Sequence, residues 1–154
     1  LVMECFDISH LSGTEVVASM VQFRNGKPDK SNYRKFKIKS KDKNNDFLAM
    51  AEVVKRRYSR LKKEKQPMPD LIVVDGGLGQ LNSSIKSLDE IGIKIPTISL
   101  AKKFEEIYVP GNNHPIRVNR KNKGRLLLER IRNEAHRFAV KYQRERRSKK
   151  IFKD

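Results

Sequence analysis

One segment decides the fold: Asp70-Leu71-Ile72-Val73-Val74-Asp75-Gly76-Gly77. Its first five residues are almost wholly apolar, the pattern of a central strand that is buried on both faces of a sheet. Asp75 and the two glycines end this strand, and a helix is predicted from about residue 78 to residue 91. A buried strand that leads directly into a helix is typical of a βαβ unit, so the sequence predicts an α/β protein.

Before this segment, the sequence predicts three antiparallel strands. They cover residues 1–8, 15–24 and 33–38. A turn over residues 9–14 separates the first two, and the turn signal Asn25-Gly26-Lys27-Pro28 separates the second from the third. The chain is therefore expected to begin as an antiparallel meander.

An amphipathic helix is predicted after a polar stretch over residues 39–45. Asn45 or Asp46 is expected to cap its first turn, and Pro67 and Pro69 end it. Apolar residues recur along this helix at spacings of three and four, which gives it one buried face. They are Phe47, Met50, Val54, Tyr58 and Leu61.

The rest of the chain adds a strand over residues 95–100, a small hairpin formed by residues 106–109 and 116–118, and a final helix over residues 123–147. The stripe of this helix that is predicted to be buried comprises Leu127, Leu128, Ile131, Ala135, Phe138 and Tyr142. The sequence thus predicts a mixed five-stranded sheet, three antiparallel strands followed by parallel additions, flanked by helices. We expect a single domain over residues 1–154.

The charge of the chain indicates the class of its partner. The 154 residues include 35 Lys and Arg and 18 Asp and Glu, a formal net charge of +17, and residues 120–154 hold 14 of the basic residues and 4 of the acidic ones. A basic segment of this kind is typical of a protein that binds a polyanion, most often nucleic acid. Aromatic residues are few and there is no Trp, so contacts of Lys and Arg with phosphates are favoured over base stacking.

Several classes of protein are excluded. No apolar run approaches the roughly 20 residues that span a bilayer, and Cys5 is the single cysteine, which rules out an intramolecular disulfide framework. The stretch Gly76-Gly77-Leu78-Gly79 lacks the Gly-Lys-Ser/Thr element of a phosphate-binding P-loop. The first residues read as the interior of an apolar strand, so we expect a fragment of a longer, cytoplasmic protein.

Two aspartates are candidates for chemistry. Asp7 ends the first apolar strand and Asp75 ends the central strand, at the edge of the sheet where α/β folds place their ligands. The alternatives are an ordinary strand-end residue for Asp7 and a helix N-cap for Asp75. If the two strands are neighbours, the carboxylates lie side by side and offer the hard oxygen donors that suit Mg²⁺ or Mn²⁺.

Two histidines and a third acid are further candidates. His136 lies one step off the buried stripe of the final helix, where the alternative is an ordinary surface histidine. Asp46 is a candidate acid with helix capping as an equal alternative, and His10 follows Asp7 in the predicted turn, where it would support the site or contact substrate. Paired aspartates with a histidine predict a metal-dependent nuclease, in which metal ions activate water and stabilise charge at phosphorus and on the leaving oxygen.

Four stretches of sequence carry a resemblance to a known family. They run nearly from end to end of the chain, and in this order they are highly specific. The chain resembles the C-terminal endonuclease domain of UvrC, the incision subunit of bacterial nucleotide excision repair. The stretches are Glu4-Cys5-Phe6-Asp7-Ile8-Ser9-His10, Pro69-Asp70-Leu71-Ile72-Val73-Val74-Asp75-Gly76-Gly77, Leu100-Ala101-Lys102 and Arg130-Ile131-Arg132-Asn133-Glu134-Ala135-His136-Arg137-Phe138-Ala139.

The resemblance implies an RNase H-like fold with a site for Mg²⁺ or Mn²⁺ whose ligands are Asp7, Asp75 and His136. Asp46 matches a further acid that the family uses in incision. The implied reaction is hydrolysis of damaged double-stranded DNA on the 5′ side of a lesion, within a complex of UvrB and DNA. Asn133 stands where an Asp is expected beside the last motif, but it is not one of the implied ligands.

Two hypotheses of different classes follow. In the first, the chain is a metal-dependent DNA endonuclease domain in which basic residues of the final helix follow the phosphates; these are Arg132, Arg137, Lys141 and Arg144. In the second, it is a non-catalytic nucleic-acid-binding module on an RNase H-like scaffold. Bound Mn²⁺ between Asp7 and Asp75 would favour the first hypothesis.

Overall fold

The computed structural model describes residues 1–11, 15–40, 45–101 and 106–153, with side chains for all of these except Leu11 and residues 147–153. Three parts of the sequence predictions therefore lie outside the described residues: residues 12–14 of the turn predicted over 9–14, most of the polar stretch before the first helix, and Lys102 of the third motif. Within the described ranges the fold is a mixed sheet with helices on both faces, as predicted.

Seven strands and three α-helices make up the described part of the chain. The strands are β1 Val2–Leu11, β2 Glu15–Arg24, β3 Lys27–Pro28, β4 Arg34–Lys37, β5 Leu71–Asp75, β6 Thr97–Leu100 and β7 Ile107–Tyr108. The helices are α1 Asp46–Lys63, α2 Leu78–Glu90 and α3 Lys123–Lys153, and a short 3₁₀ helix covers Lys30–Asn32. No helix among the described residues is both long and apolar enough to cross a lipid bilayer.

The sheet has the strand order β3-β2-β1-β5-β6-β7, and β4 also pairs with β2. β1 pairs with β2 in antiparallel fashion, while β1 with β5 and β5 with β6 are parallel. The two parallel connections contain α1 and α2, as βαβ units require. The first strand and the central strand are thus neighbours, which is the condition set for the two aspartates to meet.

Two apolar cores lie on opposite faces of the sheet. One is formed with α1 and includes Phe6, Met50 and Tyr58, all fully buried. The other is formed with α3 and includes Cys5 and Ile131. Because side chains alternate along a strand, even-numbered residues of β1 face α1 and odd-numbered residues face α3.

The first helix is capped by one of the two residues predicted to cap it. The Asn45 side chain accepts hydrogen bonds from the backbone N–H groups of Phe47 and Leu48, at 3.0 and 3.2 Å, so Asn45 is the N-cap. The capping alternative for Asp46 is therefore wrong. The final helix is longer than predicted and continues to Lys153.

The first and third predicted strands have different bounds in the structure. β1 continues to Leu11, so Ser9 and His10 are strand residues rather than turn residues, because β2 accompanies β1 over its whole length. The third predicted strand begins one residue later, at Arg34, and a two-residue strand precedes it; Pro28 lacks the N–H needed to continue a ladder and the 3₁₀ helix separates the two.

The predicted small hairpin also differs. Its first arm is β7, which pairs with the edge strand β6 and extends the main sheet. Its second arm is reduced to a single bridge between Ile107 and Ile116. Pro115 directly precedes Ile116 and offers no N–H for a longer ladder. These changes bring the strand count of the described residues to seven rather than five.

Candidate active site

Asp7 and Asp75 are brought level with each other by the pairing of β1 with β5. The parallel register sets Cys5 opposite Val73, and two residues further along both strands it sets Asp7 beside Asp75. Both aspartates lie on the face that α3 covers, and both are buried, with 4% and 8% of their surface exposed. The prediction that Asp7 ends the first strand is wrong, because β1 continues to Leu11. Asp7 lies just beyond the last residue of β1 that pairs with β5.

His136 brings α3 to this pair. Ala135 and Ala139 are fully buried, so α3 packs closely across β1 and β2. His136 follows Ala135, and its Nδ1 lies 3.3 Å from Asp7 Oδ2, while 58% of its side chain is exposed. The imidazole thus touches a buried carboxylate and solvent at the same time.

The turn after β5 holds the backbone close to Asp75. Gly76 has a φ of +148°, and a Cβ at this position would lie 2.6 Å from the Gln80 side chain, so only glycine fits. Gln80 Oε1 accepts a hydrogen bond from the Gly77 N–H at 3.1 Å, which satisfies one of the free donors at the start of α2. The predicted N-cap alternative for Asp75 is therefore wrong, because Gly77 occupies that position.

His10 and Asp46 form a second pair near the two aspartates. His10 Nε2 lies 2.6 Å from Asp46 Oδ1. Asp46 is the first residue of α1, and since Asn45 supplies the N-cap, the Asp46 carboxylate can engage His10. The Gln143 side chain of α3 donates a hydrogen bond to the His10 carbonyl, so one residue of β1 contacts both helices.

A cavity of about 390 Å³ joins these elements. It opens at the carboxyl ends of β5 and β6, where α/β folds bind their ligands. The structure thus brings together the three predicted acids, and His136 reaches them through Asp7. The cavity is lined by Asp7, Asp46 and Asp75 with Ile8, Gly76, Gly77, Gln80 and Ala101.

The thiol of Cys5 responds to both central aspartates. Its pKa is raised well above the usual 9.0, first by complete burial and then by the negative charges of Asp75 and Asp7. The positive charge of Arg132 opposes this rise. Asp75, Asp7 and Arg132 thus all lie within electrostatic range of the same buried thiol.

The donors at this site fit a divalent cation for which the protein supplies only some of the ligands. Asp7 and Asp75 supply carboxylate oxygens, and Mg²⁺ is commonly held by one or two carboxylates while waters and phosphates complete its shell. In the part of the chain that is described, no group of three or more His, Cys, Asp and Glu side chains is arranged to hold a metal ion. The chemistry therefore suits an open site and not a closed protein cage.

The four basic residues predicted to follow DNA have different surroundings. Arg137 donates two hydrogen bonds to Glu134, at 2.6 and 2.7 Å, so its charge is already compensated. Arg132 is partly buried, whereas Lys141 and Arg144 are exposed. The side chains of Lys141 and Arg144 are thus accessible from solvent.

Sequence reasoning missed three polar residues around the site. Gln80 was detectable, because a Gln three residues after an N-cap is a helix-start signal. Ser19 pairs with Asp7, and its buried Oγ has no hydrogen-bond partner among the described residues; its signal was a lone hydroxyl in an apolar strand. Gln143 had no local signal, since its contact depends on how α3 crosses the sheet.

Comparison with known proteins bears on this geometry. The family described as the UvrC RNase H endonuclease domain matches residues 1–140. The chain belongs to this family. It is 61% identical over 150 residues to the UvrABC system protein C of Methanospirillum hungatei, covering 97% of this chain and 29% of the relative.

Other relatives in the family also match nearly the whole of this chain. The UvrABC system protein C of Methanosarcina acetivorans is 56% identical over 152 residues, covering 99% of this chain and 30% of the relative. That of Flavobacterium johnsoniae is 46% identical over 149 residues, covering 96% of this chain and 25% of the relative. The chain therefore spans between a quarter and a third of the length of these relatives.

A solved structure shares the fold. The crystal structure of Ciona intestinalis endonuclease V, in complex with a 24mer DNA containing an inosine followed by a ribo-adenosine, aligns with a TM-score of 0.50 and 18% identity. The alignment covers 86% of this chain and 56% of that chain. With the family assignment, this likeness confirms the predicted RNase H-like fold.

Proposed function

We propose that this chain is a divalent-metal-dependent DNA endonuclease domain that hydrolyses a phosphodiester on the 5′ side of a lesion during nucleotide excision repair. The observation that carries the proposal is the placement of Asp7 and Asp75 on neighbouring parallel strands, buried, at one cavity with Asp46. Two carboxylates buried at the same place are costly to a fold unless a cation or another partner compensates them.

In this proposal Asp7 and Asp75 hold Mg²⁺ or Mn²⁺. Such a cation, when bound, activates water and stabilises the negative charge that develops at phosphorus and on the leaving oxygen. Asp7 and Asp75 keep their carboxylates in place because both lie on paired strands rather than loops. Asp46 supplies a third carboxylate at the same cavity.

His136 has two proposed roles, a metal ligand or a general acid and base. Its Nδ1 faces Asp7 Oδ2 at 3.3 Å, so Nε2 is the ring nitrogen left to exchange a proton with substrate or water. A carboxylate that contacts one imidazole nitrogen fixes the orientation of the ring and its tautomer. The contact therefore supports the acid–base role, while the exposure of the ring leaves it able to turn towards a cation.

DNA is proposed to approach from the side of α3. Arg132 is partly buried on α3, and Lys141 and Arg144 are exposed further along the same helix. Exposed cations attract the phosphate backbone of DNA. Arg137 is the least suited of the four, because Glu134 holds its guanidinium.

The biological setting is also a proposal, because the chain spans less than a third of its relatives. We place it as one domain of a longer cytoplasmic UvrC protein. There it would act on damaged double-stranded DNA within a complex of UvrB and DNA.

The decisive experiment uses a full-length UvrC that carries this domain. Asp7→Ala and Asp75→Ala should each abolish the 5′ incision of lesion-containing DNA, read as loss of the labelled fragment on a denaturing gel, while DNA binding persists. Asp89→Ala is the matched control, because Asp89 is exposed on α2. Incision that survives in either variant would overturn the assignment.

A non-catalytic nucleic-acid-binding module is the second candidate. The observation that favours it is the lack, within the described ranges, of three convergent metal-binding side chains. Soaking crystals with saturating Mn²⁺ separates the two candidates. Density between Asp7 and Asp75 supports the nuclease, and its absence supports the binding module.

A further inference from the structure

A second and larger cavity lies at the opposite end of the same strands. It has a volume of about 430 Å³ and lies where β1 and β5 begin. The cavity lined by Asp7, Asp46 and Asp75, which we call the acidic site, lies where β5 ends. Residues of β1, of the end of β2 and of the second half of α1 line it. A molecule at this cavity is therefore separated from the acidic site by the length of the central strand.

This cavity is rich in guanidinium groups, and we call it the arginine cavity. Four arginines line it: Arg24, Arg34, Arg57 and Arg60. Two glutamates, Glu4 and Glu64, also line it, so the basic groups outnumber the acidic ones. Guanidinium groups present several N–H donors in a fixed plane, which suits bidentate binding of a carboxylate.

The arginines differ in how they are held. Arg24 pairs with Asp29 at 3.4 Å on the surface. Arg57 is buried and donates a hydrogen bond to Glu4 Oε2 at 2.8 Å. Arg60 pairs with Glu64 at 2.9 Å on the exposed surface of α1. Arg34 donates to the backbone carbonyls of Ser31 and Tyr33, contacts that do not neutralise its charge.

The wall behind Arg57 is built from buried polar groups. Glu4 is 1% exposed and also accepts hydrogen bonds from Tyr58 Oη and Gln22 Nε2, both at 2.7 Å. Gln22 Oε1 is buried and has no hydrogen-bond partner in the part of the chain that is described. A rigid, hydrogen-bonded wall of this kind keeps the guanidinium of Arg57 from folding away from the cavity.

The cavity also has an apolar part of its lining. It includes Leu61, Pro67, Met68 and Pro69. Prolines restrict the backbone of this segment, so the wall that they form is stiff. A ligand that fills the cavity therefore meets cations on one side and an aliphatic surface on the other.

We propose that the arginine cavity is a docking site for an acidic peptide segment of a protein partner, with a carboxylate side chain on the arginines and an apolar neighbour on the Met68 side. A phosphodiester chain would leave the apolar wall without a contact. The cavity is also remote from the site at which DNA would be cut. The proposal does not depend on the nuclease assignment, because it uses none of the same residues.

The test measures fluorescence anisotropy of a labelled hexapeptide of alternating Asp and Leu as the 154-residue chain is added. Saturable binding is expected, and it should be lost when Asn replaces each Asp of the peptide. The double variant Arg34→Glu with Arg60→Gln should bind about tenfold more weakly. The double variant Arg117→Glu with Arg120→Gln changes the net charge equally and should bind as the parent does, because both residues lie outside the cavity.

Three outcomes would overturn the proposal. One is the absence of binding by a parent chain that circular dichroism shows to be folded. Another is equal weakening in both double variants, which would mean attraction by net charge alone. The third is displacement of the peptide by a thymidine hexanucleotide whose own binding falls in the Arg34→Glu variant, which would assign the cavity to nucleic acid.

Discussion

His10 Nε2 lies 2.6 Å from Asp46 Oδ1. This contact joins strand β1 to the first residue of α1, at the acidic site. The His10 carbonyl also accepts a hydrogen bond from Gln143 of α3. Helices on opposite faces of the sheet are thus fastened to the same residue. Without this contact, the Asp46 carboxylate is free to turn into solvent, because it is 44% exposed.

Removal of His10 should therefore act through Asp46. We expect His10→Ala to reduce incision by roughly 10- to 100-fold, the range seen when a residue that orients an active-site ligand is lost. The double variant with Asp46→Ala should be no slower than Asp46→Ala alone, since residues in contact are not additive. Incision rates of the four proteins give the coupling energy, with His114→Ala as the control. Losses that add independently would contradict the positioning role.

Divalent cations should stabilise the fold through Asp7 and Asp75. Thermal unfolding with increasing Mn²⁺ should show a rising Tm for the parent chain, because a ligand that binds only the folded state stabilises it by mass action. Asp7→Asn and Asp75→Asn should each remove most of this rise, and Asp89→Asn should keep it. A Tm that rises equally in all four proteins would mean that Mn²⁺ binds elsewhere.

The buried carboxylate of Glu4, which accepts hydrogen bonds from Arg57, Tyr58 and Gln22, should be important for stability. Replacing Glu4 by Ala leaves the Arg57 charge buried without its partner, which typically costs about 3–5 kcal/mol. The same change at exposed Glu64 should cost much less, because water solvates both partners of an exposed ion pair. Urea unfolding followed by circular dichroism measures both. Equal costs would show that the Glu4–Arg57 contact is weaker than its burial indicates.

Glu134 should make stability depend on pH in the acid range. Hydrogen bonds from Arg137 and Tyr33 hold the pKa of Glu134 below its ordinary 4.5. A lowered pKa means that the contribution to stability is complete above about pH 4.5 and is lost as the pH falls through the folded-state value. Glu134→Gln should therefore differ from the parent at neutral pH and converge with it in acid. Asn113→Ala, an exposed control that removes no titratable group, should run parallel to the parent throughout.

Cys5 should be unreactive in the folded chain. Burial and the charges of Asp75 and Asp7 raise the pKa of its thiol, and the thiolate is the form that reacts. Ellman's reagent at pH 8 should detect no thiol in buffer and one thiol per chain in urea. Rapid labelling in buffer would mean that β1 opens readily.

The sequence predicted the centre of the sheet better than its edges. Residues 71–74 are all apolar, which favours a buried strand. The position of Asp75 at the end of that strand could therefore be predicted from the sequence. The sequence alone could not predict that this strand pairs with β1; it was an assumption on which the meeting of the two aspartates depended. The structure supplies it through the parallel register, which depends on how α1 crosses the sheet.

The parts that sequence could not predict depend on contacts between distant residues. His10 was expected in a turn, because nothing local shows that β2 accompanies β1 up to Leu11. The glutamate at position 4 is polar within an apolar run, and only the approach of Arg57 and Tyr58, more than fifty residues later, explains its burial. Local pattern records neither contact.

The parallel pairing of β1 with β5 has a consequence for when the site comes into being. Asp7 and Asp75 are far apart in the sequence, and the connection between their strands includes all of β2, β4 and α1. Closing so long a loop is entropically costly and slow relative to local structure. We therefore expect the two carboxylates to meet late in folding, when the crossover helix docks. A chain that is still folding, or one that has partly opened, would then carry no assembled site, and the proposed cleavage would be confined to fully folded molecules.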